Sequence, residues 1–296
     1  MDGVLLIDKP AGPTSHDVVA RTRRTLDERR IGHTGTLDPR ATGLLALVVG
    51  RATRLAGLLT GGKKTYEATI CLGWATDTDD AEGQPLGPPA TDTPTDKEID
   101  EALDAFRGTF AQRPPIHSAK KVGGRKAYDL ARKQQPVELQ PVEVTVSGLE
   151  RLAGDGRHVS LRIEASSGFY VRALARDFGQ RLGCGGHLEA LRRTRSEPFA
   201  VSDALPLADA ERLGPALASR LISPADALPS LPAVEVTAAG LKRAVHGNQL
   251  GPEHLTNHWI PPASSPDPVR VLDIDGRLVA LARSRGGALH PVVVLG

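Results

Sequence analysis

The 296-residue chain has few cysteines, few aromatic residues and no long apolar run, and each shortage excludes a class of protein. Its two cysteines, Cys71 and Cys184, are too few for a disulfide framework or a cysteine-based zinc site, which favours a reducing compartment and a cytoplasmic protein. No run approaches the roughly 18 apolar residues of a membrane helix, and the apolar part of the start, MDGVLLIDKP, is too short for a signal peptide. Aromatic residues make up 3% of the chain, so the position of each of its three tyrosines is informative.

Several site motifs are also missing. The chain has no G-x-x-x-x-G-K-[ST] loop and no G-x-G-x-x-G for a nucleotide, and no G-x-S-x-G elbow for a serine nucleophile. The acidic segment TDTDDAEG (76–83) fails as a calcium loop, because Glu82 stands at the sixth position, where glycine is needed when Asp77 is counted first. We therefore expect a solvated acidic turn there. A metal site on His33 and Asp38 would lack further nearby ligands.

The charges that are present are segregated, although the net charge is only +2. Residues 77–104 contain ten Asp or Glu and one Lys, whereas 107–133 contain eight Lys or Arg and one Asp. Residues 21–30 carry five arginines against two acids, and 172–195 carry six against two. For any one cluster a solvated helix face is the simpler explanation. Three basic clusters together favour a surface that binds a polyanion such as nucleic acid.

Hydrophobic periodicity and capping residues predict a mixture of strands and helices. A first helix is capped by Thr14 or Ser15, whose side-chain oxygen satisfies free first-turn N–H groups. Thr95 and Glu98 form a capping box for a second helix, which Gly108 is expected to end. A further helix is expected at 170–183, and strands at 3–8, 44–50, 64–74, 142–151, 157–165 and 187–195.

The last part of the chain has the signals of a separate module. Prolines near residue 230 predict a domain boundary, with one domain over 1–229 and a second over 230–296. A short helix at 238–246 precedes a hairpin signal, Asp275-Gly276, between alternating apolar runs. The tail is therefore expected to be a small β-rich module of about the least size that folds alone.

The segment IGHTGTLDPRATG (31–43) presents a single carboxylate, Asp38, among three glycines and three threonines. A lone aspartate can act as a nucleophile or base if a nearby cation keeps it ionised and oriented. Reactions at a ribose with an oxocarbenium-like transition state suit such a group, whereas ordinary glycoside hydrolysis needs a second carboxylate as acid. No second acid stands in a comparable loop, so the residues alone leave the chemistry open.

Five motifs, in this order, carry a resemblance to a known family: GVLLIDKPAGPTSHDVV, RIGHTGTLDPRATGLL, KTYEATICLG, SSGFYVRALARDFGQRLG and HLEALRRT. Together they resemble the bacterial TruB family of tRNA pseudouridine synthases, and GHTGTLDPRATG is the most specific of them. The resemblance implies an α+β catalytic core on a mixed, largely antiparallel sheet with flanking helices. It also implies a PUA-like RNA-binding module in the tail.

The implied activity is the conversion of uridine-55 in the T-loop of tRNA to pseudouridine. The base is cut from C1′ at N1, turned and rejoined through C5. The family needs no metal or redox cofactor, and no guide RNA or protein partner is expected beside the tRNA T stem-loop. Asp38 matches the catalytic aspartate, whose step stays open between attack at C1′, attack on the base and removal of the C2′ proton.

The other pocket residues follow by the same correspondence. Arg172 matches the arginine that pairs with the aspartate, a pairing that can fix orientation as well as charge. Tyr66 matches the tyrosine that stacks on the target base and is a candidate to take its C5 proton. Tyr170 and Leu191 match residues that line the base pocket. The target uridine must flip out of the folded loop to react. His33 matches the histidine that fills the gap left by the flipped uridine.

Basic residues are expected to hold the RNA backbone. Residues 112–135 match an RNA-gripping insertion in which His117 stands where the family commonly has tyrosine, so the aromatic contact there is open. The insertion residues expected to meet phosphates, and so to make binding salt-dependent, are Lys120, Lys121, Arg125 and Lys126. Arg192 and Arg193 are expected on the RNA-facing surface beside the pocket.

Three other hypotheses stay open beside a stand-alone tRNA isomerase. The chain could act mainly as a tRNA-folding chaperone, as a relative that depends on a guide RNA, or as a glycosylase that releases the base. Taken singly, each matched residue also has an ordinary structural explanation. The order and spacing of all five motifs favour the enzyme.

Overall fold

A computed structural model of the chain describes residues 1–116, 121–122, 125–126, 139–256, 259, 263–264 and 267–296. His117 and Lys120 lie outside these residues, and only the backbone is described for Lys121, Arg125 and Lys126. The chain divides into two compact units. The terminal unit comprises Met1–Pro39, Leu44–Thr60 and Pro198–Gly296, and the central unit comprises Arg40–Gly43 and Gly61–Glu197.

The elements combine short helices with many strands. The helices are α1 (Ser15–Leu26), α2 (Ala56–Gly61), α3 (Asp96–Asp104), α4 (Val171–Arg181), α5 (Leu207–Leu213) and α6 (Ala238–Ala244). The strands are β1 (Gly3–Lys9), β2 (Ile31–His33), β3 (Thr42–Val49), β4 (Lys64–Leu72), β5 (Gly108–Gln112), β6 (Lys121–Val122), β7 (Arg125–Lys126), β8 (Val142–Gly154), β9 (His158–Ala165), β10 (Gly186–Ser196), β11 (Phe199–Ala200), β12 (Leu205–Pro206), β13 (Ala233–Glu235), β14 (Val269–Leu272), β15 (Leu278–Arg285) and β16 (Ala288–Val294). No helix of the described residues is long and apolar enough to cross a membrane.

The terminal unit begins with a buried strand and an amphipathic helix. β1 lies between β3 and β12 and pairs in parallel with β12, while β2 pairs antiparallel with β3. α1 starts at one of the two predicted caps: the Thr14 hydroxyl accepts from the Asp17 N–H (3.0 Å), and the Asp17 carboxylate accepts from the Thr14 N–H (2.9 Å). This reciprocal pair satisfies first-turn donors and fixes where the helix begins. One face of α1 is buried and includes Val18, Val19, Thr22 and Leu26.

The central unit is built on an antiparallel sheet in the order β10-β4-β9-β8-β5. The first residues of β3, Thr42 and Gly43, pair in parallel with β10. α3 and α4 bring apolar side chains to the core on one face of this sheet, where the rings of Phe106 and Phe178 meet edge to face. The predicted α+β class with a mixed, largely antiparallel sheet is confirmed.

The predicted end of the second helix was wrong, and the strand that follows it was missed. α3 ends at Asp104 instead of continuing to Gly108. Gly108 adopts a left-handed backbone (φ 77°), which glycine tolerates without steric cost, and it begins β5. The end of 112–135, for which the sequence predicts a short basic helix, lies outside the described residues.

The tail forms the four-stranded sheet β13-β14-β15-β16. β14 and β15 pair antiparallel, as the hairpin signal predicted. Their turn is held by the Asp273 carboxylate, which accepts from the N–H groups of Asp275 (2.9 Å) and Arg277 (2.8 Å). The sheet and α6 enclose an apolar cluster of their own, so the expected β-rich tail is present.

The tail also shares a second core with the start of the chain. Leu278, Leu281 and Leu295 pack in one cluster with Val4 and Leu44. This shared core groups the tail with the N-terminal strands in the terminal unit. The domain boundary expected near residue 230 stays a prediction. The shared core could not be predicted, because a cluster assembled from both ends of the chain leaves no local signal.

Candidate active site

The loop that carries Asp38 is held by hydrogen bonds on both sides of that residue. The Ser15 hydroxyl donates to the Leu37 carbonyl (2.9 Å) and accepts from the Leu37 N–H (2.8 Å). On the other side, the Pro39 carbonyl accepts from the Gly12 N–H (2.9 Å) and from the Lys9 ammonium (3.0 Å). The backbone on either side of Asp38 is therefore held by residues between the end of β1 and the start of α1, and Asp38 itself is half-buried.

Lys9 is the centre of this clamp. It is the last residue of β1 and its side chain is fully buried. Besides Pro39, its ammonium donates to the carbonyls of Pro10 (2.9 Å) and Pro13 (2.8 Å), so all three N–H bonds of the ammonium are used. Burial lowers the pKa of Lys9 to about 8, although the charge of Asp38 opposes the shift. Lys9 thus places a desolvated ammonium within electrostatic range of Asp38.

Sequence reasoning missed this clamp. The segment KPAGP was assigned only as the end of a strand, and Ser15 only as an alternative helix cap. A signal was available: Lys9 closely follows the apolar run VLLI (4–7) of a buried strand and stands directly before a proline, so its ammonium needs acceptors inside the protein. The carbonyls of prolines that lie outside a sheet need donors, and a lysine ammonium can supply them.

His33 lies near the same loop, in β2. Its ring meets the His16 ring edge to face, with centroids 5.5 Å apart, and its Nδ1 accepts from the Gly35 N–H (3.3 Å). The next residue, Thr34, is buried and its N–H donates to the Ala46 carbonyl (3.1 Å). Of the predicted site residues, the terminal unit therefore contains His33 and Asp38.

In the central unit, strand register brings Tyr66 and Leu191 onto one face. Tyr66 of β4 lies opposite Arg193 of β10, and Ala68 lies opposite Leu191. Opposed residues, and alternate residues along a strand, share a face of the sheet. Tyr66 and Leu191 are both partly buried against the apolar core on that face, as side chains lining a pocket for a base would be. Arg192 lies on the other face, opposite Glu67.

Arg193 differs from its prediction. Its side chain is only 3% exposed and makes a hydrogen bond to the side chain of Tyr66. Burial lowers the pKa of Arg193, and the neighbouring phenol opposes that shift. A guanidinium buried in this way is not part of a phosphate-binding surface. The alternation of β10 explains the difference, because successive residues of one strand point to opposite faces.

Tyr170 and Arg172 stand at the start of α4. Tyr170 is the N-cap residue, and the buried Gln112 side chain holds its backbone in both directions, donating to its carbonyl (3.0 Å) and accepting from its N–H (2.9 Å). Arg172 is 7% exposed; its guanidinium donates to the Thr78 carbonyl (3.2 Å) and lies 3.6 Å from the Asp80 carboxylate. Gln112 was assigned only to the basic loop and its anchoring role was missed.

The acidic segment 76–83 is not the solvated turn that the sequence predicted. The Asp79 side chain is 12% exposed and lies 2.9 Å from the guanidinium of Arg176, one helical turn after Arg172. Burial raises the pKa of Asp79, and Arg176 opposes the rise. The backbone of Asp79 accepts from the Leu188 N–H (3.0 Å). Two arginines on one face of α4 therefore bind the segment. The sequence did not predict these ion pairs, because the partners lie far apart along the chain. Among the described residues, no group of three or more His, Cys, Asp or Glu could hold a metal ion.

Comparison with protein families identifies the chain. The model of the TruB family pseudouridylate synthase N-terminal domain matches residues 23–171, and that of the tRNA pseudouridylate synthase B C-terminal domain matches residues 172–228. The chain belongs to the TruB family. The resemblance drawn from its motifs is thereby confirmed, and with it the assignment to the pseudouridine synthases, which are enzymes.

Curated relatives of this TruB-family chain are similar over almost their whole length. The tRNA pseudouridine synthase B of Thermobifida fusca is 45% identical over 99% of this chain and 98% of its own. That of Mycobacterium tuberculosis is 44% identical over 99% and 95%. That of Solibacter usitatus is 46% identical over 82% and 84%.

Solved structures support the fold. A chain of an archaeal box H/ACA sRNP Nop10–Cbf5 complex is 26% identical, covers 99% of this chain and 86% of its own, and has a TM-score of 0.73. A chain of a Cbf5–Nop10–Gar1 complex is 27% identical, covers 99% and 85%, and has a TM-score of 0.75. The expected pseudouridine synthase fold of this TruB-family chain is thus confirmed.

Proposed function

We propose that this TruB-family enzyme isomerises uridine-55 in the T-loop of tRNA to pseudouridine and does so without a guide RNA or a protein partner. The observation that carries the proposal is the clamp around Asp38. Ser15 holds the residue before it, and Gly12 with Lys9 holds the residue after it. Such preorganisation suits a carboxylate that must meet one position of a ribose.

The chemistry requires an ionised, oriented carboxylate in a sheltered place. The base leaves C1′ at N1, turns and returns through C5, so it must be retained while it is detached. Lys9 supplies a positive charge near Asp38 from within the terminal unit. Arg172 is proposed to orient the carboxylate in the reacting complex. Attack at C1′, attack on the base and removal of the C2′ proton all remain compatible with these roles.

The target base has to leave the folded loop before it can react. We assign the stacking contact with the flipped uracil to Tyr66, and the lining of its pocket to Tyr170 and Leu191. His33 would occupy the space that the base leaves. Extruding a base costs a few kcal/mol of lost stacking, which contacts of this kind offset in part.

The RNA backbone contacts stay as the sequence suggested them, with one change. Lys120, Lys121, Arg125 and Lys126 of the insertion, together with Arg192, are proposed to meet phosphates. Binding should then weaken as salt rises, because each neutralised phosphate releases counterions. The tail is proposed to act as a PUA-like RNA-binding module. Arg193 is removed from this group because of its burial.

The direct experiment uses purified chain and an unmodified tRNA transcript, with nothing added. Pseudouridine is mapped after incubation with the wild type, with Asp38→Asn and with Asp92→Asn, which changes an exposed loop aspartate. We expect pseudouridine at position 55 with the wild type and with Asp92→Asn, and none with Asp38→Asn. Modification by Asp38→Asn at the wild-type rate would refute the assignment of Asp38.

The same experiment separates the rival functions. Release of free uracil would indicate a base-excising glycosylase, since isomerisation leaves the mass of the RNA unchanged. Activity that appears only with added guide RNA and proteins would indicate a guide-dependent enzyme. If Asp38→Asn loses modification but still accelerates tRNA refolding, then a chaperone role exists beside the catalytic one.

A further inference from the structure

The first turn of α1 places a second histidine against His33. The rings of His16 and His33 meet edge to face, with their centroids 5.5 Å apart and their planes at 83°. His16 is exposed, His33 is half-buried, and both belong to the terminal unit. One residue lies in α1 and the other in β2, so the fold brings the two rings together. Edge-to-face contact is one of the arrangements that aromatic rings prefer.

The residues on both sides of His16 are held in place. The Ser15 hydroxyl makes hydrogen bonds to both backbone groups of Leu37 (2.9 and 2.8 Å). The Asp17 carboxylate accepts from the Thr14 N–H (2.9 Å) and from the Thr14 hydroxyl (2.7 Å). The backbone at His16 therefore has little freedom, and its ring stands at a defined place beside the other histidine.

A hydrogen bond also orients the His33 ring. Its Nδ1 accepts from the Gly35 N–H, so the neutral ring carries its proton on Nε2. The distance of 3.3 Å lies beyond the usual range of about 2.7–3.2 Å, and a long hydrogen bond is a weak restraint. The contact with His16 acts on the ring itself and adds a second restraint. Together the two contacts favour a single orientation of the ring in the absence of RNA.

Such order has a use in base flipping. A side chain that fills the gap left by a flipped base has to be ordered when the base leaves the loop. Ordering a mobile side chain at that moment costs free energy, whereas a side chain that is already ordered avoids this cost. A preordered ring therefore increases the population of the RNA with its base flipped.

We propose that His16 is a positioning residue, whose ring braces the His33 ring in the orientation that enters the T-loop when the target uridine flips. This inference rests on the proposed function for the task of His33. His16 acts through the other ring and not on the uridine. Its loss should therefore slow the step that depends on flipping and leave the phosphate contacts that hold the tRNA.

A double-mutant cycle tests whether His16 acts through His33. The single-turnover rate on an unmodified tRNA at saturating enzyme is compared for wild type, His16→Ala, His33→Ala and the double variant. We expect His16→Ala to react about three- to tenfold more slowly than the wild type, the size of one aromatic contact, with tRNA affinity changed by less than about twofold. In the His33→Ala background the same substitution should change the rate by less than about twofold. Equal losses in both backgrounds, or no loss in the wild type, would overturn the proposal.

Two further variants make the cycle specific. His16→Phe keeps a ring at this place without its nitrogens and should recover most of the rate, whereas a hydrogen bond from His16 to RNA would stay lost. His158→Ala removes an exposed histidine of β9 that lies beside Asp155 and Glu189, and it should leave the rate unchanged. A His16→Phe rate as low as that of His16→Ala would refute the bracing role. His16 is exposed and alanine favours helices, so the alanine variant is expected to fold.

The bracing can also be measured without RNA. The chain has nine histidines, so carbon-13 labelling at the imidazole Cε1 gives nine NMR signals, and the single variants assign those of His16 and His33. We expect relaxation of the His33 signal to report a rigid ring in the wild type and in His16→Phe, and a more mobile ring in His16→Ala. Equal mobility in the wild type and His16→Ala would refute the proposal. This comparison decides if His33→Ala has no measurable turnover.

Failure of the proposed function would give a different result. The wild type would then make no pseudouridine at position 55, while the His33 ring would still become more mobile in His16→Ala. The NMR comparison and the turnover assay therefore separate the contact between the rings from the reaction that it is proposed to serve.

Discussion

Lys9 shows how one buried residue can hold the loop that carries Asp38. Its ammonium donates three hydrogen bonds, to the carbonyls of Pro10, Pro13 and Pro39. It therefore serves these carbonyls as the donor that water would be on the surface. Burial disfavours the charged form of this ammonium, and the pKa of Lys9 is therefore lowered to about 8. A prediction about stability follows from the pKa.

Lys9→Met should lower the free energy of unfolding by about 2–4 kcal/mol at pH 7, because the carbonyls of Pro10 and Pro13 lose their donor. Above pH 8 the unfolded chain still holds a proton on Lys9, up to its ordinary pKa of 10.5, whereas the folded chain has released it. Stability therefore rises with pH in the wild type relative to the variant, and the deficit of Lys9→Met should grow between pH 8 and 10.5.

Urea unfolding of both proteins at pH 7 and pH 9.5 measures this difference. Lys97→Met, which changes a lysine with an 84% exposed side chain, is the matched control and should show no such trend. A deficit of Lys9→Met that is the same at both pH values would show that the Lys9 pKa is not lowered.

At the scale of elements, β5 and the start of α4 are joined by one side chain. Gln112 ends β5 and holds both backbone groups of Tyr170, the N-cap of α4. Tyr170 has no side-chain cap of its own, so this amide supplies the fixed geometry at that helix start. The same few residues then place Arg172 on the first turn.

Gln112→Leu should destabilise the chain by about 1–3 kcal/mol, because the Tyr170 N–H loses its acceptor in a buried place. It should also raise the KM for tRNA if Tyr170 lines the base pocket. Chemical unfolding and steady-state kinetics measure the two effects. Gln180→Leu, at an exposed position of α4, serves as the control, and equal stability of the two variants would contradict the anchoring role of Gln112.

Local signals predicted most elements but few of the contacts that build the site. The Thr95 capping box spans three residues and is present where the sequence placed it, and the first helix begins at Thr14, one of its two predicted caps. The bond between Arg176 and Asp79 joins residues 97 apart, and nothing near either residue indicates the other. The charge pattern alone therefore predicted a solvated turn at 76–83, where the fold instead supplies arginine partners.

The candidate site shows the same division. Asp38, His33 and Tyr66 were predicted as site residues from motifs, because each stands in a distinctive local sequence. Lys9 and Gln112 were missed, because each acts through hydrogen bonds to backbone groups, some of them in distant segments, that only the fold brings within reach. Arg193 was assigned to the wrong surface, since two adjacent arginines on a strand look alike in sequence and only the register separates them.

For the molecule as a whole, truncation of the tail would test the core that it shares with the start of the chain. The leucines of the tail complete a core with Val4 and Leu44, so deleting residues 230–296 would expose β1 and β3 and would also remove the proposed RNA-binding module. We expect the truncated chain to unfold at a clearly lower temperature and to lose both tRNA binding and turnover. Thermal unfolding and filter binding measure this, and a truncated chain with unchanged Tm would contradict the shared core.

The central claim is that Asp38 is the carboxylate that performs the reaction at uridine-55. The most direct measurement is the single-turnover rate of pseudouridine formation at that position in an unmodified tRNA, for wild type and Asp38→Asn at saturating enzyme. The account predicts that tRNA binding persists while the rate falls by more than about 10²-fold, as loss of a reacting group does. A rate within a few fold of the wild type would contradict it.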